Sequence, residues 1–145
     1  MSIVYMEESK ESLRKIQSLK NMGYKVRHSD SFLDALSWLE DTPGAENISA
    51  FIFDLRMEAS LDSLRFINPD EPYDEAKHYS PSMYFINYYM LKHYPHLKNR
   101  IILYSAYFEK INKHIDLSSF RQVNKRSTSL VEDLIQNLDE LGVRP

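Results

Sequence analysis

Ala50-Phe51-Ile52-Phe53-Asp54-Leu55-Arg56-Met57 is the stretch that decides the fold. The four apolar residues from Ala50 to Phe53 do not alternate with polar ones, a pattern typical of a strand buried on both faces of a parallel sheet. Asp54 follows at the predicted C-terminal edge, where open α/β sheets bind ligands. A carboxylate there can be a surface residue, a metal ligand or a nucleophile that accepts a phosphoryl group. The other strands must decide among these three.

Five strands alternate with five helical patterns along the chain. The predicted strands are Ile3 to Met6, Tyr24 to Arg27, the strand that ends at Asp54, Arg100 to Tyr104, and Phe120 to Asn124. The helical patterns carry Leu13, Ile16, Leu19 and Met22; Phe32, Ala35, Leu36 and Leu39; Ser82 to His93; Ile111 and Ile115; and Leu130, Leu134, Leu138 and Leu141. Right-handed crossovers then predict a flavodoxin-like, doubly wound, five-stranded parallel sheet with helices on both faces.

Polar punctuation residues predict where these helices begin and end. The predicted N-caps are Ser9, a residue of Ser29-Asp30-Ser31, and Ser127 or Thr128. Gly23 and Thr42-Pro43-Gly44 are the predicted stops of the first two helices.

The alternation is interrupted after the Asp54 strand. From Glu58 to Pro81 the sequence is acidic, contains several prolines and has no sustained period, although Leu61, Leu64 and Ile67 fit one short helical turn. A segment of this length inside a compact domain is usually functional or mobile. No linker or internal repeat is visible, so we expect a single domain over residues 1–145 with an insertion at about 58–81.

Composition excludes several classes of protein. The chain of 145 residues has 18 basic and 21 acidic residues and a formal charge of −3, so global basicity gives no indication of direct nucleic-acid binding. It has no cysteine, which excludes disulfides and thiolate metal sites and fits a reducing compartment. The N-terminus lacks the apolar region of a signal peptide, and no apolar run approaches the ~20 residues of a membrane helix. We expect a cytoplasmic protein without a membrane segment.

Polar residues follow four of the strands at the same predicted edge of the sheet. They are Glu7 and Glu8 after the first strand, Asp54 after the third, Ser105 after the fourth, and Lys125 after the fifth. Glu7 and Glu8 could also simply open the next helix, beside the positive end of its dipole. Together, however, carboxylates from two strands can bind Mg²⁺ through oxygen. Asp54 could then attack a phosphoryl group whose charge is stabilised by the metal, the Ser105 hydroxyl and the Lys125 ammonium.

These strand ends resemble the receiver domain of two-component response regulators, the CheY-like family. The resemblance rests on Met6-Glu7-Glu8, Phe53-Asp54-Leu55-Arg56-Met57, Leu103-Tyr104-Ser105-Ala106 and Val123-Asn124-Lys125. It implies Asp54 as the phosphoacceptor, assisted by Ser105 and Lys125. It also implies a Mg²⁺ ion held by Glu7, Glu8, Asp54 and the backbone carbonyl of Arg56.

The resemblance also implies partners. A sensor histidine kinase or phosphotransfer protein would supply the phosphoryl group, and the chain would act as a signalling receiver rather than a classical enzyme. Because the sequence ends at Pro145, after the last receiver-like helix, we expect output through a downstream protein partner. A homodimer is compatible with this interpretation.

Several positions depart from the family pattern. The acidic pair is Glu rather than Asp, and Glu58-Ala59-Ser60 stands where Pro and Gly commonly follow. Gln122 replaces an aromatic switch residue, and Arg126 replaces the usual Pro. The spacing from Asp54 to Ser105 exceeds the family pattern by roughly 20 residues, beside the predicted site. These departures favour a second hypothesis, a phosphate-independent pseudo-receiver that acts as a protein-interaction module.

Other signals are weaker. A phosphatase of the haloacid dehalogenase type would need an acidic residue two positions after the nucleophile, where this chain has Arg56. His78, His93 and His96 lack a matched carboxylate cluster, so we expect surface histidines rather than a metal site. The region of Tyr73, Tyr79, Tyr84, Tyr88, Tyr89 and Tyr94 fits a partner surface and ordinary aromatic packing equally well.

Overall fold

The computed structural model describes residues 1–10, 12–41, 44–58 and 61–145. The predicted helix stop at Thr42-Pro43 and residues Ala59-Ser60 of the loop after Asp54 therefore lie outside the described residues. Within the described ranges, no helix is long and apolar enough to cross a bilayer.

The sheet has five parallel strands in the order β2-β1-β3-β4-β5, which confirms the flavodoxin-like prediction. The strands are β1 (Ser2–Met6), β2 (Val26–Ser29), β3 (Ile48–Asp54), β4 (Ile101–Ser105) and β5 (Arg121–Asn124). Their register pairs Met6 with Phe53, Asp54 with Tyr104, and Ser105 with Asn124. The ends of β1, β3, β4 and β5 are therefore level, and the residues that follow them share one edge.

Helical segments connect the strands. They are α1 (Ser12–Asn21), α2 (Phe32–Glu40), α3 (Glu75–His78), α4 (Pro81–Phe85), α5 (Leu91–His93), α6 (Phe108–Asn112) and α7 (Leu130–Glu140), with 3₁₀ turns at Gly44–Asn47, Leu61–Phe66 and Pro95–Arg100. A π-helical turn at Ile86–Met90 joins α4 to α5, so that the helix predicted from Ser82 to His93 is present but locally widened.

The core lies on both faces of the sheet because β3 is apolar on both sides. Phe51 and Phe53 point into a cluster with α2 and α4, and Ala50 and Ile52 point into a second cluster with α1 and α7. Aromatic contacts such as Phe32 with Phe85, at 5.1 Å between ring centroids, join α2 to α4. The uninterrupted apolar run therefore has the two-sided burial that its pattern predicts.

Several boundaries differ from the sequence prediction. Helix α1 is described over Ser12–Asn21, and the residue at which the helix predicted after Ser9 would start lies outside the described residues. The N–H of Ser9 donates to Oε1 of Glu7 at 3.0 Å. Helix α1 turns Ile16 and Leu19 toward the sheet, so that Leu13 is 47% exposed, and Met22, after the helix ends at Asn21, is 49% exposed.

Strand β2 and helix α7 begin later than predicted. Strand β2 starts at Val26, because the chain first makes a turn at Gly23 with φ of +101°. Helix α7 starts at Leu130 with Ser129 at its N-cap, while the Ser127 hydroxyl donates to Asp133 at 2.8 Å. The predicted cap at Ser31 is confirmed, since its hydroxyl accepts from the N–H of Leu33.

The inserted segment packs against the domain. Its 3₁₀ turn buries Leu64 completely in the cluster on the α2 and α4 face. Asp74 caps α3 by accepting from the N–H of Ala76, and Ser80 caps α4 by accepting from the N–H of Met83. The short helical turn predicted around Leu61 and Leu64 is therefore present.

Candidate functional site

Three charged side chains meet at the C-terminal edge of the sheet. The Nζ of Lys125 lies 2.8 Å from Oε2 of Glu7 and 3.3 Å from Oδ2 of Asp54. Lys125 reaches this place because its backbone N–H donates to the carbonyl of Ser105, at 3.0 Å, which extends the pairing of β5 with β4. Glu7 is fully buried and Asp54 is 6% exposed. The structure thus brings together the predicted residues from β1, β3 and β5.

Backbone groups fix both carboxylates. Oδ1 of Asp54 accepts from the N–H of Arg56 at 3.1 Å, which leaves Oδ2 toward Lys125. Oε1 of Glu7 accepts from the N–H of Ser9, and the carbonyl of Glu7 is 2.8 Å from Nε2 of His28 on β2. These bonds orient the two carboxylates on either side of one ammonium group.

The two buried acids of this group differ in how readily they lose a proton. Burial raises the pKa of Asp54 to about 7, and the neighbouring Glu7 carboxylate adds to the shift. Burial opposes ionisation of Glu7 too, but hydrogen bonds, including those from Asp54 and Lys125, hold the pKa of Glu7 below its ordinary value. Since Lys125 is nearer to Glu7, we assign the ionised carboxylate to Glu7 and the more readily protonated one to Asp54.

Ser105 ends β4 at the same edge and is buried. Its hydroxyl oxygen accepts from the N–H of Tyr107 at 3.0 Å, which fixes the start of the following loop. The ring centroid of its neighbour Tyr104 lies 5.0 Å from the Nζ of Lys125, a cation–π contact that stabilises the ammonium. Sequence reasoning did not assign a role to Tyr104, because a Tyr in an apolar strand has only a core pattern.

Glu8 and the Arg56 side chain turn away from the three charges. Both line a neighbouring cavity of about 460 Å³. Among the described residues, no three His, Cys, Asp or Glu side chains form a group that could hold a metal ion. The acidic pair of the sequence is thus divided between the charged cluster and the cavity, and the metal roles of Glu7, Glu8, Asp54 and the Arg56 carbonyl stay predictions.

Ser80, at the end of the inserted segment, and Ser82, in α4, complete the surroundings of Asp54. The Ser82 hydroxyl donates to the carbonyl of Asp54, and the Ser80 hydroxyl donates to the carbonyl of Leu55 at 2.6 Å. Both serines are fully buried. Sequence reasoning missed this role, although Ser80-Pro81-Ser82 is a recognisable start of a helix and so a signal of a fixed turn.

The prediction of surface histidines is wrong for His78, which is only 7% exposed. Its Nδ1 accepts from the N–H of Asp74 at 2.9 Å, and its ring packs on Tyr73, Tyr84 and Tyr88. This burial could not be predicted from the sequence, because short turns of the insertion bring the rings together without a helical spacing of apolar residues. His93 and His96 are exposed as predicted.

Sequence comparisons give no relative: no model of a known family matches the chain, and no curated protein sequence does. Solved structures do resemble it. The N-terminal signal receiver domain of a two-component system response regulator from Bacteroides fragilis has 15% identity and a TM-score of 0.59, over 99% of this chain and 98% of that chain. The bacteriophytochrome response regulator AtBRR has 15% identity and a TM-score of 0.55, over 98% and 92%. The chain therefore has the fold of a response regulator receiver domain.

Proposed function

We propose that this chain is a response regulator receiver that accepts a phosphoryl group on Asp54 in a Mg²⁺-dependent reaction. The observation that carries the proposal is the contact of Lys125 with both Glu7 and Asp54, in a fold shared with receiver domains. Buried acids with a shared lysine are costly to stability, so their presence at a ligand-binding edge favours a chemical role.

The proposed reaction is the transfer of a phosphoryl group to a carboxylate. An oxygen of Asp54 attacks phosphorus, the bond from phosphorus to the donor's leaving group breaks, and that group departs with the electron pair. Asp54 must be ionised to attack, and its pKa of about 7 leaves a large ionised fraction at neutral pH. The Lys125 ammonium can move its contact from the Asp54 carboxylate to the phosphoryl oxygens as negative charge develops there. The Ser105 hydroxyl can bind one of these oxygens.

The charged cluster fits a hard divalent cation in its chemistry. When both are ionised, Glu7 and Asp54 carry more negative charge than Lys125 balances, and the Glu7 carboxylate adds to the burial that raises the pKa of Asp54. Mg²⁺ commonly binds through one or two carboxylates and keeps several waters, so Glu7, Asp54 and the Arg56 carbonyl would suffice without Glu8. When bound, the ion would supply positive charge that offsets the charge developing on the transferred group.

A phosphoacceptor site implies a donor of the phosphoryl group and a downstream protein that recognises the phosphorylated form. The donor would be a sensor histidine kinase, a phosphotransfer protein or a small acyl phosphate, and output would come from protein contacts made by the cytoplasmic domain, alone or as a homodimer. Signalling rather than metabolic catalysis is supported because Arg56 occupies the position where a related phosphatase would need a general acid. Its guanidinium is also bound to Glu75 at 2.6 Å.

A phosphate-independent interaction module is a second candidate, and Gln122 favours it. The side-chain amide of Gln122 donates to the carbonyl of Leu117 at 2.8 Å. Gln122 stands where the family has a mobile aromatic ring, and this bond fixes its side chain to the preceding loop. A receiver that lacks this moving ring could present a constant surface to its partner.

Intact-mass measurement with an acyl phosphate separates the two candidates. We expect wild type to gain one phosphoryl group in Mg²⁺ and none in EDTA, and Asp54→Asn to gain none. Asp30→Asn is the matched control, because the exposed Asp30 follows β2 at the same edge of the sheet. An equal adduct on Asp54→Asn, or no adduct on folded wild type, would contradict the proposed reaction.

A further inference from the structure

The end of the inserted segment and the first turn of α4 bind three consecutive residues, Asp54 to Arg56, at the end of β3 and in the loop that follows it. Ser82 donates to the carbonyl of Asp54, and Ser80 donates to the carbonyl of Leu55 at 2.6 Å. The carbonyl of Tyr79 accepts from the guanidinium of Arg56 at 2.5 Å. The order of contacts runs antiparallel along the two segments, so residues 79–82 hold the backbone and side chain of residues 54–56 at successive points.

Arg56 is the most heavily engaged residue of this contact. Its guanidinium also binds Oε1 of Glu75 at 2.6 Å and pairs with Glu58. Glu75 is itself fixed, because its other oxygen accepts from the Tyr73 hydroxyl. A guanidinium that presents planar, divergent donors suits such a set of acceptors, and a lysine ammonium does not. The Arg56 side chain is thereby held away from Asp54.

Tyr79 extends the contact to the next strand's loop. It is the one non-glycine residue with positive φ among the described residues, at φ of 61° and ψ of −28°. Backbone in this region is costly for a residue with a side chain and persists where its surroundings enforce it. Here the Tyr79 ring stacks on His114 with centroids 3.8 Å apart, while its carbonyl holds Arg56. His114 follows α6, the helix after Ser105.

We propose that the inserted segment is a working part of the phosphoacceptor site and that Glu75, Tyr79 and Ser80 are positioning residues for it. Glu75 and Tyr79 act through the Arg56 guanidinium and Ser80 through the carbonyl of Leu55, and together they set the N–H that binds Oδ1 of Asp54 and the carbonyl predicted to face Mg²⁺. The role of these residues in phosphoryl transfer and Mg²⁺ binding rests on the proposed function. The positioning itself can be measured without metal or phosphate.

The test compares Glu75→Gln with Glu140→Gln. Each substitution weakens one partly exposed Glu–Arg pair, but the Glu140 pair with Arg121 lies at the start of β5, the opposite edge of the sheet. In metal-free protein, we expect Glu75→Gln to speed hydrogen exchange of the Arg56 amide about two- to fivefold, as loss of one such contact predicts. We expect the Kd for Mg²⁺ to rise by a similar factor. Glu140→Gln should change neither quantity.

Arg56→Lys is a second variant, which keeps the charge and loses the divergent donors. It should reproduce the faster exchange of the Arg56 amide while leaving the core amide of Ile52 unchanged. Unchanged exchange at Arg56 in both variants would overturn the inference, and so would equal acceleration at Arg56 and Ile52, which reports global loosening. Absence of phosphorylation in wild type would refute the proposed function separately, because the exchange measurement uses neither metal nor phosphate.

Discussion

At the scale of single residues, the main finding is that the side chains of Glu7 and Glu8 lie in different surroundings. Side chains of successive residues in extended chain point to opposite sides. Glu7 continues β1 inward to Lys125, so Glu8 turns to the cavity beside Arg56. The sequence was sufficient to predict Glu7, Asp54, Ser105 and Lys125 at one edge. It did not predict which of two adjacent acids would be buried.

Asp54→Asn should alter the pH dependence of stability. Because the folded-state pKa of about 7 lies above the ordinary value of 3.8, the folded protein keeps a proton that the unfolded chain releases. Between these values the free energy of unfolding falls as pH rises. Asp54 should thus cost wild type about 2 kcal/mol between pH 5.5 and 8, and Asp54→Asn should lack this loss.

Urea denaturation in EDTA at the two pH values measures this effect. Other ionisable groups are present in both proteins, so the difference between wild type and Asp54→Asn reports Asp54 together with its effect on the neighbouring Glu7. An identical pH slope in the two proteins would show that the pKa of Asp54 is not raised.

Lys125→Met should destabilise the protein because it removes the cation shared by two buried acids. Loss of one partner from a buried ion pair leaves an uncompensated charge, so we expect a loss of about 2–4 kcal/mol at pH 8. The loss should be smaller at pH 5.5, where Asp54 is mostly protonated. Lys113→Met is the control, since Lys113 is exposed and should change the free energy of unfolding by less than about 0.5 kcal/mol. Equal effects of the two substitutions would contradict the buried cluster.

At the scale of elements, all five strands are predicted within two residues of their bounds, but for different reasons. The central strands β1, β3 and β4 are marked by apolar runs buried on both faces, whereas β5, an edge strand with only Val123 buried, is predicted within one residue without such a run. Strand β2 lies at the edge of the sheet and reads Val-Arg-His-Ser, so no apolar run marks its position. The insertion consists of short turns, which are too brief to display a period.

Leu64→Ala tests whether the insertion is part of the core. Leu64 is fully buried, and deletion of such a side chain leaves a cavity, so we expect a loss of about 2–4 kcal/mol in the free energy of unfolding. Leu61→Ala, in the same 3₁₀ turn but 38% exposed, should cost less than about 1 kcal/mol. Denaturant titration of both variants measures the contrast. Equally small losses would mean that the 3₁₀ turn is not anchored in the core.

At the scale of the whole molecule, the insertion and the sheet share contacts that ordinary surface loops lack. Leu64 joins the same apolar cluster as Phe32 and Phe85, and Ser80, at the end of the insertion, binds the carbonyl of Leu55 directly after β3. The site and the core therefore depend on the same packed segment. This shared segment favours the prediction of a single domain over residues 1–145.

We expect the chain to unfold as one cooperative unit. Trp38 packs against the cluster that contains Leu64, so its fluorescence reports that face of the sheet, whereas far-ultraviolet circular dichroism reports all helices. The two transitions in urea should coincide because neither face can lose its packing on β3 while the other keeps it. Tryptic cleavage after Arg65 and Lys77, in the inserted segment, should then follow global unfolding and accelerate with urea. Rapid cleavage that does not depend on urea would show that the segment opens alone, and would also remove the basis for its positioning of Arg56.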